Sequence, residues 1–149
     1  MNLREKIDLD IRDAMKAREK EKLDALRAVK AAVLLAATEK GASKELSDEQ
    51  ELKIIQKLVK QRKESAEIYI AQQRQDLADV ELIQAKFIEV YLPDMIDEAT
   101  LAEEIKKIID NLGITDPKDF GKVMGAASKM FAGKADNKMI SDIIRKHLA

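Results

Sequence analysis

The sequence has no cysteine, no tryptophan and one histidine, and aromatic residues make up 3% of its 149 positions. Without cysteine there is no disulfide framework, no thiolate zinc site and no thiol nucleophile. A lone histidine excludes metal centres built from several imidazoles and argues against a histidine-based triad. The few aromatic rings leave little for stacking on unpaired bases. The sequence therefore predicts no metal site, no cofactor and no catalytic centre of its own.

Long apolar runs are also missing. The first six residues contain no apolar core of a signal peptide, and no uninterrupted apolar run approaches the roughly 18 residues that a membrane span requires. We therefore expect a cytoplasmic location and no membrane partner.

Charge is abundant but nearly balanced. Lys and Arg number 27 against 28 Asp and Glu, and the formal net charge of -1 argues against strong bulk attraction to nucleic acid. The distribution is uneven, because the stretch from Gly113 to Ala149 holds seven basic and four acidic residues. A local basic surface near the C-terminus is therefore expected.

Apolar residues recur at helical spacing along almost the whole chain, and strand-like alternation is nearly absent. The sequence predicts an all-α protein, with long helices in an N-terminal domain over residues 1–96 and three short helices in a C-terminal domain over residues 97–149. Gly41 is expected to stop a helix, and Ser47 with Gln50 has the spacing of a capping box. Pro93 ends the N-terminal part.

Helix-start and helix-stop residues are clearest in the C-terminal part. Asp97, Asp116 and Asp136 are predicted N-caps, and Pro117 fits the first position after its cap. Gly113 is a predicted C-cap.

A polar interruption over residues 72–76 separates two apolar stretches, where the chain either turns back or continues with a kink. The periodicity after it predicts that one apolar face is formed by Leu77, Val80, Ile83, Phe87 and Val90.

The predicted helix over residues 118–131 carries the most informative local pattern. Helical spacing gathers its apolar residues on one side, namely Phe120, Val123, Met124, Ala127, Met130 and Phe131. Three lysines and a glycine fall on the other side, and two further lysines follow. The candidate RNA-binding residues are Lys118, Lys122, Gly125, Lys129, Lys134 and Lys138. Gly121, Gly125 and Ser128 form a ridge almost without side chains, which a phosphate backbone or another helix could approach closely. The alternative is that these glycines only allow helix packing and these lysines only aid solubility.

A second basic strip is formed by Lys53, Lys57 and Lys60, which share one helix face as phosphate-contacting residues would. Nearby Arg62 projects close to an apolar face. A structural pairing with a carboxylate such as Asp76 or Glu81 is the favoured interpretation.

Several short blocks, in this order and spacing, resemble the YqeY-like family over essentially the whole chain. The blocks are Leu26-Arg27-Ala28-Val29-Lys30, Lys60-Gln61-Arg62-Lys63-Glu64-Ser65-Ala66 with Tyr69, Arg74-Gln75-Asp76-Leu77-Ala78 with Glu81, Tyr91-Leu92-Pro93, Gly121-Lys122-Val123-Met124-Gly125 and Gly133-Lys134-Ala135-Asp136. One departure is Gln73, which replaces the glycine usual before Arg74.

The resemblance implies a helical N-terminal domain and a three-helix C-terminal domain similar to the C-terminal tail of GatB, the B subunit of the tRNA-dependent amidotransferase. That tail recognises the outer corner of tRNA, while activation and ammonia release occur elsewhere in the enzyme. At the level of the family, the resemblance also implies the carbon-nitrogen ligase activity of the full enzyme, which uses glutamine as the amido donor. No residue of this chain is expected to carry that activity alone.

Three hypotheses from different classes follow. The leading one is a non-catalytic tRNA-binding or adaptor protein related to the amidotransferase tail. The alternative is a protein-interaction module that docks a partner helix on the Gly121/Gly125 ridge. Activity as an amidotransferase component within a complex is a third, weaker hypothesis. The oligomeric state is left open by the sequence.

Overall fold

The computed structural model describes residues 2–39 and 45–149. Within these two ranges the chain forms seven α-helices, one short 3-10 turn and no strand, which confirms the all-α prediction. The predicted helix stop at Gly41 lies outside the described residues. The helices are α1 (Leu3–Ala17), α2 (Lys20–Glu39), α3 (Asp48–Ala71), α4 (Gln75–Glu89), α5 (Glu98–Leu112), α6 (Phe120–Met130) and α7 (Asn137–Leu148), with the 3-10 turn at Pro117–Asp119.

The chain divides into two compact units, with the division between Leu92 and Pro93. Each unit has its own apolar core. Ile96 belongs to the C-terminal unit, because its side chain packs against that core and its backbone N–H donates to the Lys134 carbonyl at 2.9 Å. Independent folding of domains over residues 1–96 and 97–149 stays a prediction.

The N-terminal unit contains α1 to α4. The predicted capping box at the start of α3 is present, with the Gln50 N–H donating to Ser47 Oγ at 3.2 Å and the Ser47 N–H donating to Gln50 Oε1 at 2.9 Å. After α3 the chain turns back, and α4 packs along α3. Gln73 makes this turn with a left-handed backbone, φ 60°. The position where the family usually has glycine is therefore one that requires a positive φ.

The predicted apolar face of α4 is buried only in part, because Leu77 and Phe87 are half-buried and Phe87 packs against the core, whereas its other three residues are exposed. Val80, Ile83 and Val90 are 36%, 43% and 73% exposed. The buried residues of α4 are instead Ala78, Ala85 and Ile88. Apolar residues surround most of this helix, and the two alanines let the backbones of neighbouring helices approach closely. The small-residue face therefore turns inward, and larger side chains are left outside.

Side-chain hydrogen bonds join separate parts of the N-terminal unit. Arg62 Nε donates to Gln84 Oε1 at 3.2 Å, and Gln84 Nε2 donates to Glu21 Oε2 at 3.1 Å. The predicted pairing of Arg62 with a carboxylate such as Asp76 or Glu81 is therefore wrong. The guanidinium instead binds the Gln84 amide of α4, and this amide in turn binds the carboxylate of Glu21. The Tyr91 hydroxyl donates to Asp10, and burial, followed by that hydrogen bond, raises the pKa of Tyr91.

In the C-terminal unit, α5, α6 and α7 enclose a core rich in isoleucine. All three predicted N-caps are present. Asp97 Oδ1 accepts from the Thr100 N–H at 2.8 Å, while Asp116 Oδ1 and Asp136 Oδ1 accept from N–H groups two residues later. Gly113 ends α5 with φ 66°, as predicted. These caps stabilise the starts of α5, of the 3-10 turn that leads into α6, and of α7.

Candidate functional site

One side of α6 anchors the helix, and the other side is open. Val123 and Ala127 are fully buried, and Phe131 follows them into the core at the end of the helix. Met130 is 55% exposed, so its predicted place on the buried side is wrong. The helix ends at that residue, and the chain leaves the helical path there.

The open side of α6 carries Lys122, Gly125 and Lys129, all exposed. These residues are three and four positions apart, so they follow one another along one stripe of the helix. The two lysines stand two helical turns apart, about 10 Å, with the glycine between them. The structure therefore brings together three of the six candidate residues.

Gly121 and Gly125 have no packing role among the described residues of the C-terminal unit. Apart from the adjoining residues and the backbone of α6 itself, a β-carbon added at either position would meet no atom within 4 Å, and neither residue has a positive φ. Glycine in a helix interior costs about 1 kcal/mol relative to alanine. The fold therefore gives no reason for these glycines, which contradicts the interpretation that they serve helix packing inside the unit. What they provide is a surface where another molecule can reach the helix backbone.

Lys118 lies in the 3-10 turn that precedes α6 and is exposed. Its backbone N–H donates to Asp116 Oδ1 at 2.9 Å, so the cap uses the backbone of Lys118 and does not involve its ammonium group. Lys122 Nζ lies 3.7 Å from Asp119 Oδ1 in an exposed i,i+3 pair. Such a pair contributes little, so the Lys122 ammonium remains available to an external anion.

Lys134 and Lys138 follow α6 in the chain. Both are exposed, but Lys134 lies in the turn between α6 and α7, whereas Lys138 lies in the first turn of α7. Lys138 lines an open depression of about 480 Å³ with two basic residues and three carboxylates. The other charged lining residues are Glu98, Asp136, Asp142, Arg145 and Lys146. The mixed charge makes this depression less favourable for phosphate than the α6 stripe.

Arg145 was not among the predicted site residues. Its guanidinium carbon lies 5.3 Å from the centre of the Phe120 ring, and its Nη1 lies 3.9 Å from Asp142 Oδ1. This cation–π contact therefore places the Arg145 guanidinium of α7 beside the start of α6. The sequence does show a basic last turn in α7, but only the fold places residue 145 next to residue 120.

The second basic strip is partly occupied by contacts within the chain. Lys53 Nζ lies 3.2 Å from Glu49 Oε1. Lys57 and Lys60 are exposed and have no ion pair with the residues that the structure describes. Beside the strip, Lys63 Nζ contacts Glu89 Oε1 at 2.6 Å. The strip thus offers two cations without ion pairs.

No three His, Asp or Glu side chains in residues 2–39 and 45–149 converge as a metal site would require. In those same ranges, none of the helices is both long enough and apolar enough to cross a membrane.

Taken together, these features define an all-helical protein of two compact units, whose C-terminal unit presents a basic helix with an uncovered glycine backbone. A family model described as Yqey-like protein matches residues 4–148. The chain belongs to the YqeY-like family, as its sequence blocks predict.

A curated relative supports the same family. It is the protein called "Altered inheritance of mitochondria protein 41, mitochondrial" from Pyrenophora tritici-repentis (strain Pt-1C-BFP). The two are 26% identical over 144 residues, which cover 95% of this chain and 78% of the relative. Because the name of that relative places it in mitochondria, a cytoplasmic location for this chain stays a prediction.

Proposed function

We propose that this protein is a non-catalytic tRNA-binding or adaptor protein, related to the tail of the tRNA-dependent amidotransferase, and that the α6 stripe is its RNA contact. The observation that carries the proposal is the exposed Lys122, Gly125 and Lys129 stripe, in which no other described part of the C-terminal unit comes within 4 Å of a β-carbon placed on Gly125. Lys118 and Lys134 flank the stripe at the two ends of α6.

The chemistry of the stripe favours phosphate over bases. Lysine binds phosphate as a point charge, and a glycine lets a sugar-phosphate backbone approach the helix. The aromatic rings of the C-terminal unit, Phe120 and Phe131, are half-buried and buried, so they offer no free platform for stacking bases. The expected mode is therefore recognition of RNA shape and phosphate.

Binding to total tRNA tests the proposal. Several phosphate contacts predict a steep salt dependence. For about four contacts, affinity should fall roughly 100-fold between about 50 mM and about 200 mM salt. Filter binding or a mobility shift at these two concentrations measures it. No binding at the lower concentration, or the same affinity at both, would refute the proposal.

Charge reversal locates the site. The pair Lys122→Glu and Lys129→Glu should weaken tRNA binding at least about tenfold at low salt, because two contacts become repulsive. Lys106→Glu with Lys107→Glu on α5 is the matched control, since it reverses two exposed lysines of the same unit outside the stripe. If the control weakens binding as much as the pair, only bulk charge matters and the site assignment fails.

The secondary strip needs its own variant. Lys57→Glu with Lys60→Glu changes the two lysines of the second basic strip that have no ion pair with described residues. We expect a smaller loss of tRNA affinity than for the α6 pair. A larger loss would move the RNA contact to the N-terminal unit.

The uncovered glycines also favour one alternative, a module that docks a partner helix on the Gly121/Gly125 ridge. Gly125→Leu fills the ridge without changing charge, whereas the lysine reversals change charge without filling it. A partner helix should be displaced mainly by Gly125→Leu, and it should survive nuclease treatment in a pull-down. A sharp loss of tRNA affinity on lysine reversal favours the RNA contact instead.

A further inference from the structure

The side of α4 that points away from the N-terminal core is apolar in its middle and charged at its ends. Leu82 and Ile83 are 37% and 43% exposed, and Asp79 and Lys86 on the same side are exposed. At 3.6 residues per turn these positions form one stripe along the helix. We call this set of four residues the α4 stripe.

A groove of about 510 Å³ runs beside the α4 stripe, with Lys63 of α3 on its far side. Lys63 is engaged by Glu89, so its charge is already compensated. The groove gives an approaching side chain room to pack against Leu82 and Ile83 without first displacing an ion pair. Leu82 and Ile83 thus form a small exposed apolar patch that a partner surface could cover.

The two end charges of the stripe are not neutralised by the chain itself. Lys86 has no ion pair with the described residues, and Asp79 accepts only from the neutral amide of Gln75, at 2.8 Å. Asp79 precedes the apolar pair by three residues, and Lys86 follows it by three. The stripe is therefore complementary in charge to a second, identical stripe that runs antiparallel to it.

A second copy of the chain satisfies this order directly. If two stripes pack antiparallel about a two-fold axis between Leu82 and Ile83, each Asp79 faces Lys86 of the other copy, and the apolar pairs meet in the centre. A parallel arrangement would place equal charges side by side. We propose that the α4 stripe is the contact of a weak, two-fold symmetric dimer of this protein.

The size of the stripe limits the affinity. One pair of helices buries less than the roughly 1,200 Å² of a standard stable interface, so the dimer should be transient. Sedimentation velocity from about 10 µM to about 1 mM should show a rapid monomer-dimer equilibrium. A wild-type chain that stays monomeric over this range overturns the proposal and leaves the stripe for a different partner.

Two single charge reversals test the register. Asp79→Lys gives each copy two cations on its stripe, and Lys86→Glu gives each copy two anions. Either variant alone replaces two attractive contacts with two repulsive ones, so its dimer dissociation constant should rise roughly tenfold or more. Both positions are exposed, and circular dichroism verifies that each variant keeps its helix content.

Mixing the two variants gives the decisive result. In an antiparallel pair the cationic stripe of Asp79→Lys meets the anionic stripe of Lys86→Glu at both ends, so the mixture should associate more strongly than either variant alone. The double variant, Asp79→Lys with Lys86→Glu, restores one charge of each sign per copy and should dimerise like the wild type. A double variant that stays monomeric, or single variants that dimerise normally, would overturn the proposed register.

The apolar centre has a matched control on α3. Ile83→Ser removes an exposed apolar side chain from the stripe, whereas Ile68→Ser makes the same change at a position of α3 that is 58% exposed. Only Ile83→Ser should weaken dimerisation. Equal effects of the two changes would show that general surface apolarity, and not the stripe, drives self-association.

Discussion

The two units of this protein are both helical, yet they differ in how closely local sequence agrees with the final fold. In the C-terminal unit aspartate side chains cap α5, the 3-10 turn before α6, and α7, and glycines occupy the left-handed positions at residues 113 and 133. In the N-terminal unit capping boxes start α1 and α3, but the left-handed positions are held by Arg18 and Gln73. Glycine therefore marks the turns of the C-terminal unit in the sequence, whereas no glycine marks the turns at residues 18 and 73.

The two units also differ in which residues they expose to solvent. Most of the exposed large apolar residues described by the structure belong to the N-terminal unit, including Ile68, Ile70, Leu82, Ile83 and Val90. The C-terminal unit buries nearly all of its isoleucines and instead exposes lysines and glycines on α6. The two units therefore present different surfaces, with exposed apolar side chains on α4 and exposed lysines on α6.

The largest expected effect concerns whether the units fold independently. Ile140→Ala empties a fully buried position in the C-terminal core and should cost about 2–5 kcal/mol of unfolding free energy, a large fraction for so small a unit. Ile55→Ala is the matched change in the N-terminal core. Amide hydrogen exchange should show lost protection only in the unit that carries the substitution. Loss in both units together would mean that they unfold as one.

The next effect tests the turn between α3 and α4. Gln73→Gly should raise the free energy of unfolding by about 0.5–1 kcal/mol, because glycine adopts the left-handed backbone without the strain that glutamine has there. Gln72→Gly is the control, since residue 72 has φ -89° and gains nothing from glycine. Urea unfolding measures both variants. Equal changes for the two would contradict an effect of the left-handed backbone.

The smallest effect concerns the Asp97 cap. The hydrogen bond from the Thr100 N–H, followed by that from the Thr100 hydroxyl, lowers the pKa of Asp97 below its ordinary value of 3.8. The folded state therefore binds this proton less readily than the unfolded state. The cap contributes its stability above about pH 4 and loses it as the pH falls through the lowered pKa.

Asp97→Asn tests this sign, because asparagine can accept the hydrogen bonds but has no charge to titrate. The wild type should lose more stability than Asp97→Asn between neutral pH and about pH 3, as measured by unfolding midpoints. Asp94→Asn removes an exposed carboxylate outside the cap and serves as the control. An identical acid dependence in the wild type and Asp97→Asn would contradict the role of the cap.

Sequence reasoning succeeded where the determinants are local. A carboxylate that accepts from an N–H two or three residues later needs no distant partner, so Asp97, Asp116 and Asp136 are recognisable as caps in the sequence itself. The same holds for the lysines of α6, whose exposure follows from the burial of Val123 and Ala127 on the opposite side. The RNA contact assigned to those lysines stays a prediction.

By itself the sequence determined that the chain is helical, where the helices of the C-terminal unit begin, and that the chain belongs to the YqeY-like family. Tertiary structure alone decided which side of α4 is buried and that Arg62 binds Gln84. The physical reason is that α4 is apolar around most of its circumference. Periodicity then leaves its rotation open, and close packing through Ala78 and Ala85 selects one orientation from several that the sequence permits.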